Sequence, residues 1–228
     1  MNFSLIVRFV EGCWAKIKPL FGLQKAYCYF CERTEDPFRV TNQKMPIIYT
    51  TAQSDEDLRQ ILALQRQNLY KNTPVEYQQD QGFTTVEHPF EIIQQMNNAL
   101  PQIIAKDGDT VVGYALVMPR TFGQLVPELV PMFDLVSELN WNGKPICDYR
   151  YYVMGQICVA QSHRGQGVFD GLYAEHKNQF STDFDLCVTE IAVRNTRSMR
   201  AHERVGFREV HQHQDHIDLW SLVVWDWS

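Results

Sequence analysis

Residues 156–173 read Gln-Ile-Cys-Val-Ala-Gln-Ser-His-Arg-Gly-Gln-Gly-Val-Phe-Asp-Gly-Leu-Tyr, a strand pattern running into an Arg-Gly-x-Gly turn that opens an amphipathic helix. Glycines at 165 and 167 remove side-chain bulk and permit unusual dihedrals, so successive backbone N–H groups can converge on an anion at the positive end of a helix dipole. A phosphorylated ligand is the first inference. The spacing excludes two common phosphate binders. A nucleotide-hydrolysing P-loop needs Gly-Lys-Ser/Thr, and neither Lys nor Ser/Thr follows Gly167. The dinucleotide fingerprint fails because the third glycine falls at 171 instead of 170. On its own the turn is equally compatible with a ligand-free strand-to-helix connection.

A second unit, Asp185-Leu-Cys-Val-Thr-Glu-Ile-Ala-Val-Arg-Asn-Thr-Arg-Ser-Met-Arg-Ala-His-Glu-Arg-Val-Gly-Phe207, repeats the order strand, asparagine, helix, Gly-Phe. Together the two units resemble the GNAT superfamily of acyl-CoA-dependent N-acyltransferases. Its diphosphate loop, Arg/Gln-x-x-Gly-x-Gly/Ala, is matched by Arg164, Gly165, Gln166, Gly167, Val168 and Phe169. Its second block is matched by Asn195, Ser198, His202, Gly206 and Phe207. Two positions depart from the pattern. Phe169 stands where the family has Gly or Ala, which requires its ring to turn toward the sheet, and His202 stands where many members carry a tyrosine acid.

The resemblance implies an α/β (α+β) fold with a mixed, mostly antiparallel central sheet of six to seven strands flanked by helices. It implies acetyl-CoA as acyl donor and transfer of the acetyl group to a primary amine of a small molecule or peptide. Backbone groups of Ile157, Cys158 and Val159 would pair with the pantetheine arm as a strand does, and amides of residues 164–169 would hold the diphosphate. Asn195 is then a polar contact to the same arm, with Ser198 one helical turn on. Glu190, twelve residues before His202, is the candidate general base acting through water; a strand glutamate paired with an arginine is the alternative. His202 is the candidate proton donor to the departing thiolate, in place of the tyrosine. A catalytically inactive acyl-CoA-binding regulatory module is the competing function.

Composition narrows the setting. A chain of 228 residues, 45% hydrophobic, can bury one good core and carry an extension. A net charge of −6 argues against a nucleic-acid partner. The charge is uneven: residues 1–44 carry +3 and the remainder −9, yet Arg194, Arg197, Arg200 and Arg204 cluster after the second strand. Such a patch suits a polyanion, or is a solvated helix face. Six scattered cysteines fit a reducing, cytoplasmic setting. Cys158 and Cys187 read as small core residues. Cys28-x-x-Cys31 is only half a zinc site, and His211, His213 and His216 lack an acidic or cysteine partner at metal spacing, so no metal is expected.

The order of elements from Met45 is legible. Residues 46–51 read as a strand, and Ser54 to Asp57 as a capping box opening a helix with Leu58, Ile61, Leu62 and Leu69 on one stripe. Thr85 to Leu100 reads as a second helix stopped by Pro101. Ile103–Ala105 and Thr110–Met118 flank a Lys-Asp-Gly-Asp turn as a hairpin. The Pro-interrupted stretch 120–150 either walls an acceptor pocket or covers a sheet edge. Strand 151–159 follows, His176 joins the packed stripe of the next helix, and 207–212 with 217–227 forms a closing hairpin whose exposed strand would allow a homodimer.

Residues 1–44 are set apart as an extension to a 45–228 acyltransferase domain. Phe3, Val7, Val10, Trp14, Ile17 and Phe21 recur at helical spacing with Arg8, Lys16 and Lys18 between them. Residues 1–23 would thus make a weak surface contact with a membrane; a further reading makes Met45 the working start.

Overall fold

The computed structural model describes residues 46–72, 83–126 and 129–228. The expectations for residues 1–44, including the amphipathic segment and Cys28-x-x-Cys31, lie outside the described residues. Strands are β1 (Ile48–Thr51), β2 (Ile103–Asp107), β3 (Thr110–Pro119), β4 (Asn140–Trp141), β5 (Lys144–Pro145), β6 (Tyr151–Val159), β7 (Leu186–Ala192), β8 (Arg208–Gln214) and β9 (Leu219–Asp226). Helices are α1 (Asp55–Gln67), α2 (Phe90–Ala99), α3 (Val130–Glu138), α4 (Val168–Phe180) and α5 (Thr196–Val205). Seven strands form one sheet in the order β1-β2-β3-β6-β7-β9-β8, and β4 and β5 make a separate two-residue ribbon. Every neighbouring pair in the sheet is antiparallel except β6 with β7, which α4 connects. This is the expected mixed, mostly antiparallel sheet.

Alternation along the strands divides the core into two layers. Tyr114, Leu116, Val153, Cys158, Val188 and Leu222 face α1, α2 and α3, where Leu58, Ile61, Ile93, Met96, Met132 and Val136 are buried. Ala115, Tyr152, Met154, Cys187 and Val223 face α4, packing on Leu172, Tyr173 and Phe180. Gly171, the glycine that spoils the dinucleotide fingerprint, has a packing reason: a Cβ there would lie 2.1 Å from the Tyr49 ring of β1.

The parallel pair is short. Tyr151, Tyr152 and Val153 pair with Leu186, Cys187 and Val188, and there the pairing stops although both strands continue. On the other side of β6, Leu116 pairs with Gln156 and Val117 with Met154, which leaves Gly155 as an extra residue. A bulge bends its strand and increases the local twist. From Met154 to Val159, β6 keeps β3 on one flank and has no strand on the other, while β7 continues along β9. The result is a slot between two diverging strands.

Two expectations need correction. The helix predicted from Thr85 begins only at Phe90, because Pro89 is its N-cap and the residue before a proline disfavours helical dihedrals. Thr84 instead bridges to Leu69, which lies beyond the end of α1 and is buried there. Residues 84–89 are held to the sheet by a polar network. Gln156 Oε1 accepts from Tyr114 Oη at 2.5 Å and from Gln65 Nε2 at 2.7 Å, and Gln156 Nε2 donates to the Val86 carbonyl at 2.9 Å. Gln65 Oε1 accepts from the His88 amide at 2.9 Å. The predicted cap on α1 forms, Ser54 Oγ accepting from the Asp57 amide at 3.2 Å.

The Gly-Phe pair ends α5 in a Schellman motif. Gly206, at φ 117°, donates to Glu203 O, and the Phe207 amide donates to His202 O. This motif brings its third residue from the end against the residue after the glycine, and the His202 and Phe207 rings lie 5.1 Å apart. His202 also packs edge-on against Phe169 at 5.2 Å and Tyr173 at 5.4 Å. Its Nδ1 lies 2.8 Å from the Ser198 carbonyl, and Nε2 is buried without a hydrogen-bond partner. Burial holds its pKa down at about 4. His176 is likewise sealed in this layer, as expected, with Tyr152 Oη 2.8 Å from its Nδ1.

A buried histidine of this kind binds fewer protons folded than unfolded. Its contribution to stability is therefore neutral above pH 6.5 and increasingly unfavourable as pH falls from 6.5 toward about 4. Replacing His202 by Phe should leave stability at pH 8 close to the parent and improve it at pH 4 by about 2–3 kcal/mol. Urea unfolding of both proteins across this range checks the window.

Candidate active site

The slot between β6 and β7 opens onto a cleft of about 710 Å³ lined by Ile157, Cys158, Val159, residues of the 163–170 turn, and Asn195, Arg197, Ser198, Arg200 and Arg204 of α5. Asn68, Phe83 and Thr84 close its far wall. Sequence units far apart in the chain thus meet on one surface, as their resemblance to a shared site implies.

At the turn, Gly165 has φ 73° and Gly167 φ 80°, both in the left-handed region. A Cβ added at either would meet nothing within 4 Å, so these glycines are required by backbone conformation and not by crowding. Gly167 is the N-cap of α4, and no side chain caps that helix. The amides of its first turn are left for a ligand in the cleft, at the positive end of the helix dipole. Phe169 fits because its ring turns into the aromatic layer, 5.0 Å from Tyr173, while its residue still lines the cleft.

Arg164 acts as a clamp on the turn. Its Nε donates to the Val159 carbonyl at 3.1 Å and its Nη2 to Asn68 Oδ1 at 2.7 Å, tying the end of β6 to the end of α1. Gln166 donates back to the Ser162 carbonyl at 2.8 Å. Arg204 pairs with Asp170 at 2.6 Å, linking α5 to α4. Arg200 has no ion pair among the described residues. With four arginines and one aspartate in its lining, the cleft is positive in an acidic protein.

Asn195 caps α5, its Oδ1 accepting from the Ser198 amide at 3.2 Å. The residue is nearly buried yet lines the cleft, and its carboxamide nitrogen has no partner among the described residues.

Glu190 is the second residue of β7 beyond its last pair with β6. It shares a face with Val188 and, on β6, with Gln156 and Cys158. Burial, reinforced by the charge of Asp215, raises its pKa to about 7. Among the described residues the arginine pairing considered as an alternative is absent: Glu190 Oε2 accepts no hydrogen bond, and the basic side chain beside it is that of His213, whose Nε2 lies 3.6 Å away and whose pKa burial holds down. Arg194, the nearest arginine in sequence, is engaged by Asp218 and lies over the Tyr70 and Phe83 rings at 4.9 and 4.7 Å. Glu190 is not among the residues that line the cleft; standing on β7 two residues past the last β6–β7 pair, a carboxylate that titrates near neutrality can accept a proton from a substrate amine through an intervening water.

His202 does not join this group. It lies behind Phe169 in the aromatic layer and not among the cleft residues, and its imidazole is neutral at pH 7 with Nδ1 turned to the Ser198 carbonyl. The expected role as proton donor has no geometric support; the histidine packs. Arg194, expected in the basic patch, does not line the cleft and is engaged by Asp218 instead; the approach of His213 to Glu190 was not anticipated. A sequence signal existed for His213, which alternates with His211 along β8, but nothing local indicated that β9 would lie between β8 and β7.

Among the described residues no helix is long and apolar enough to cross a membrane. Among the described residues the free thiols are Cys147, Cys158 and Cys187, the last two buried as expected.

The sequence pattern of the Acetyltransferase (GNAT) family matches residues 56–207. No curated sequence matches significantly. Among solved structures, the ribosomal-protein-S18-alanine N-acetyltransferase from Escherichia coli superposes with a TM-score of 0.55 at 8% identity, over 80% of this chain and 95% of that one. A chain of the NatC complex bound to Gag peptide and CoA gives 0.54 at 14% identity, over 80% and 99%. A chimera of spermidine N-acetyltransferase from Vibrio cholerae gives 0.51 at 13% identity, over 80% and 96%. These likenesses establish the fold, and the family match over most of the sheet, the glycine turn and the Gly-Phe end of α5 establishes descent. The chain belongs to the GNAT family of acetyltransferases.

Proposed function

We propose that the protein transfers the acetyl group of acetyl-CoA to a primary amine of a small molecule or an exposed peptide group. The observation that carries this reading is the slot: an unpaired flank of β6 runs from the cleft at the open first turn of α4, and Glu190 stands on the facing strand β7 two residues past the last β6–β7 pair. An extended amide-bearing chain entering the slot finds the unpaired flank of β6 around Ile157 and the Val159 amide, as an added strand would, while the Val159 carbonyl is held by Arg164 Nε. The amides of residues 165–169 and the arginines of α5 hold the diphosphate end. Asn195 offers its carboxamide to the arm, with Ser198 beside it.

Acetyl transfer then needs a neutral amine at the thioester carbon. Glu190 takes the ammonium proton, directly or through one water, and the freed lone pair attacks. The departing thiolate, at the far end of the pantetheine arm from the diphosphate, takes its proton from the solvent-open cleft, because the imidazole of His202 is sealed behind Phe169. A peptide beside CoA in one structural relative and spermidine in the name of another support an amine acceptor. The reducing setting inferred from the free thiols supports a cytoplasmic reaction, and the acidic body gives no support to a nucleic-acid partner.

Two experiments test the reading. Gly167→Val forces a β-branched residue into the left-handed region without a steric clash, so the turn amides re-aim while the fold persists. Calorimetry should give an affinity for acetyl-CoA about 10- to 100-fold weaker, from the loss of one or two charge-assisted hydrogen bonds. An unchanged affinity removes the turn from the site.

Glu190→Gln should lower kcat by about 100-fold or more and abolish the rise in rate through pH 7, with acetyl-CoA offered to spermidine and to a peptide with a free N-terminus. It also has a readout without turnover. Because the folded pKa of Glu190 is raised above its ordinary 4.5, the wild type loses stability as pH climbs from 4.5 through about 7. The glutamine variant should match the wild type near pH 4.5 and exceed it at pH 8 by about 2–3 kcal/mol. Equal stability at both pH values would mean that the carboxylate is not held in a desolvated site.

A further inference from the structure

We propose that Arg197 and Arg200 of α5 form a phosphomonoester site, distinct from the glycine turn, that takes the 3′-phosphate on the ribose of the donor. The inference rests on the cleft being the acetyl-CoA site, and it divides the phosphate-binding end in two: the turn amides face the diphosphate, and the two arginines face the third phosphate. The motivating observation is that α5 breaks the charge rule of its own helix. Cations are favoured in the last turn of a helix and disfavoured in the first, where the dipole is already positive. Arg197 is the second residue of α5, no acidic residue stands in its first turn, and Arg200 follows three positions later. Side chains three and four apart are neighbours on a helix surface, and like charges there repel, so Arg197, Arg200 and Arg204 make a strained stripe. Glu203, the one acidic residue of α5, does not line the cleft, and among the described residues no ion pair joins it to Arg200. A local rule broken in this way marks a position kept for a ligand.

The cleft concentrates this charge. All three arginines line it together with Arg164, and the one carboxylate in the lining, Asp170, is engaged by Arg204 at 2.6 Å. Arg164 is committed to the Val159 carbonyl and to Asn68. Burial lowers the pKa of Arg164, and the charge of Arg197 lowers it further, so the two guanidiniums repel across the cleft. Four arginines against one aspartate leave three positive charges on the lining. The diphosphate linkage brings about one negative charge per phosphate and is met by neutral turn amides at a helix mouth. A phosphomonoester adds about −1.5 to −2 at pH 7 with three acceptor oxygens, which guanidinium forks match in charge and geometry.

Burial along α5 assigns the place. Asn195 at the N-cap is nearly buried, whereas Arg197 and Arg200 are exposed, so the cleft-lining stripe climbs from the floor of the cleft to its rim. The donor has the thioester-bearing arm at one end, the phosphorylated ribose at the other and the diphosphate between them. With the arm at Asn195 and the diphosphate at the turn, the ribose emerges at the rim, where the two arginines stand.

Calorimetry on the full chain with coenzyme A and with 3′-dephospho-coenzyme A reads the site without an acceptor. Wild type should bind coenzyme A about tenfold or more tightly than the dephospho form, as one or two charge-assisted hydrogen bonds provide. Arg200→Gln keeps a good helix former at an exposed position. It should weaken coenzyme A about tenfold and the dephospho form by less than about threefold; Arg197→Gln should act in the same direction, and Arg200→Lys should keep part of the preference through its charge. Raising the salt concentration should cost coenzyme A more affinity than the dephospho form. Without ligand, Arg200→Gln should melt at the wild-type temperature or above it, because a like charge leaves the stripe; a lower melting temperature would refute the strain on which the inference is built. Equal wild-type affinity for the two ligands, or an equal loss for both in Arg200→Gln, overturns the phosphomonoester site and leaves the donor reading standing, since both ligands still bind. If wild type binds neither ligand, the donor reading fails and the site fails with it.

Discussion

The site depends on the short parallel contact between β6 and β7. Three residue pairs hold the strands together and then release them, and everything functional in the cleft lies beyond that release. Gly155 causes it in mechanical terms. As an extra residue in β6 opposite β3, it turns the strand away from β7, so hydrogen-bonding capacity that a continuous sheet would consume remains available around Ile157, with the Val159 carbonyl taken by Arg164. The same divergence sets Glu190 at an edge of the slot, where one flank of its strand is covered by β9 and the other is open. Without the bulge the two strands would zip closed.

Much of this was legible in the sequence because local rules and the fold agree. The glycine turn at 165–167 needs left-handed dihedrals, and the structure uses them; Asn195 is a helix cap; Gly206 and Phe207 are the end of a Schellman motif. Each of these is decided within a few residues. The boundary of α2 was also decided locally, by Pro89, and was misplaced because the apolar residues before the proline continue a helical period.

What sequence reasoning misjudged was decided by contacts made at long range. His202 occupies the motif position of a proton donor, but the same motif that ends α5 draws its ring onto Phe207, and Phe169 and Tyr173 close around it. The phenylalanine at 169 is the departure that makes room for the other: with a small residue there, one wall of the histidine's enclosure would be missing. The polar network of Gln65, Tyr114 and Gln156 joins three elements and leaves no mark in the spacing of any one of them. Likewise the approach of His213 to Glu190 follows from strand order alone.

That order, with β9 inserted between β7 and β8, has a consequence for assembly. The two last strands form a local hairpin that can associate early, whereas docking it against β7 must wait for the rest of the sheet. Until it docks, β7 presents a bare apolar edge built from Leu186, Val188 and Ile191, the kind of template on which chains aggregate. Once docked, the outer rim is β8, a strand rich in His, Gln and Glu and interrupted by a bulge at Val210. The hairpin therefore exchanges a sticky margin for one that resists further strand addition, and the polar residues that make it resistant include the histidine that reaches back toward Glu190.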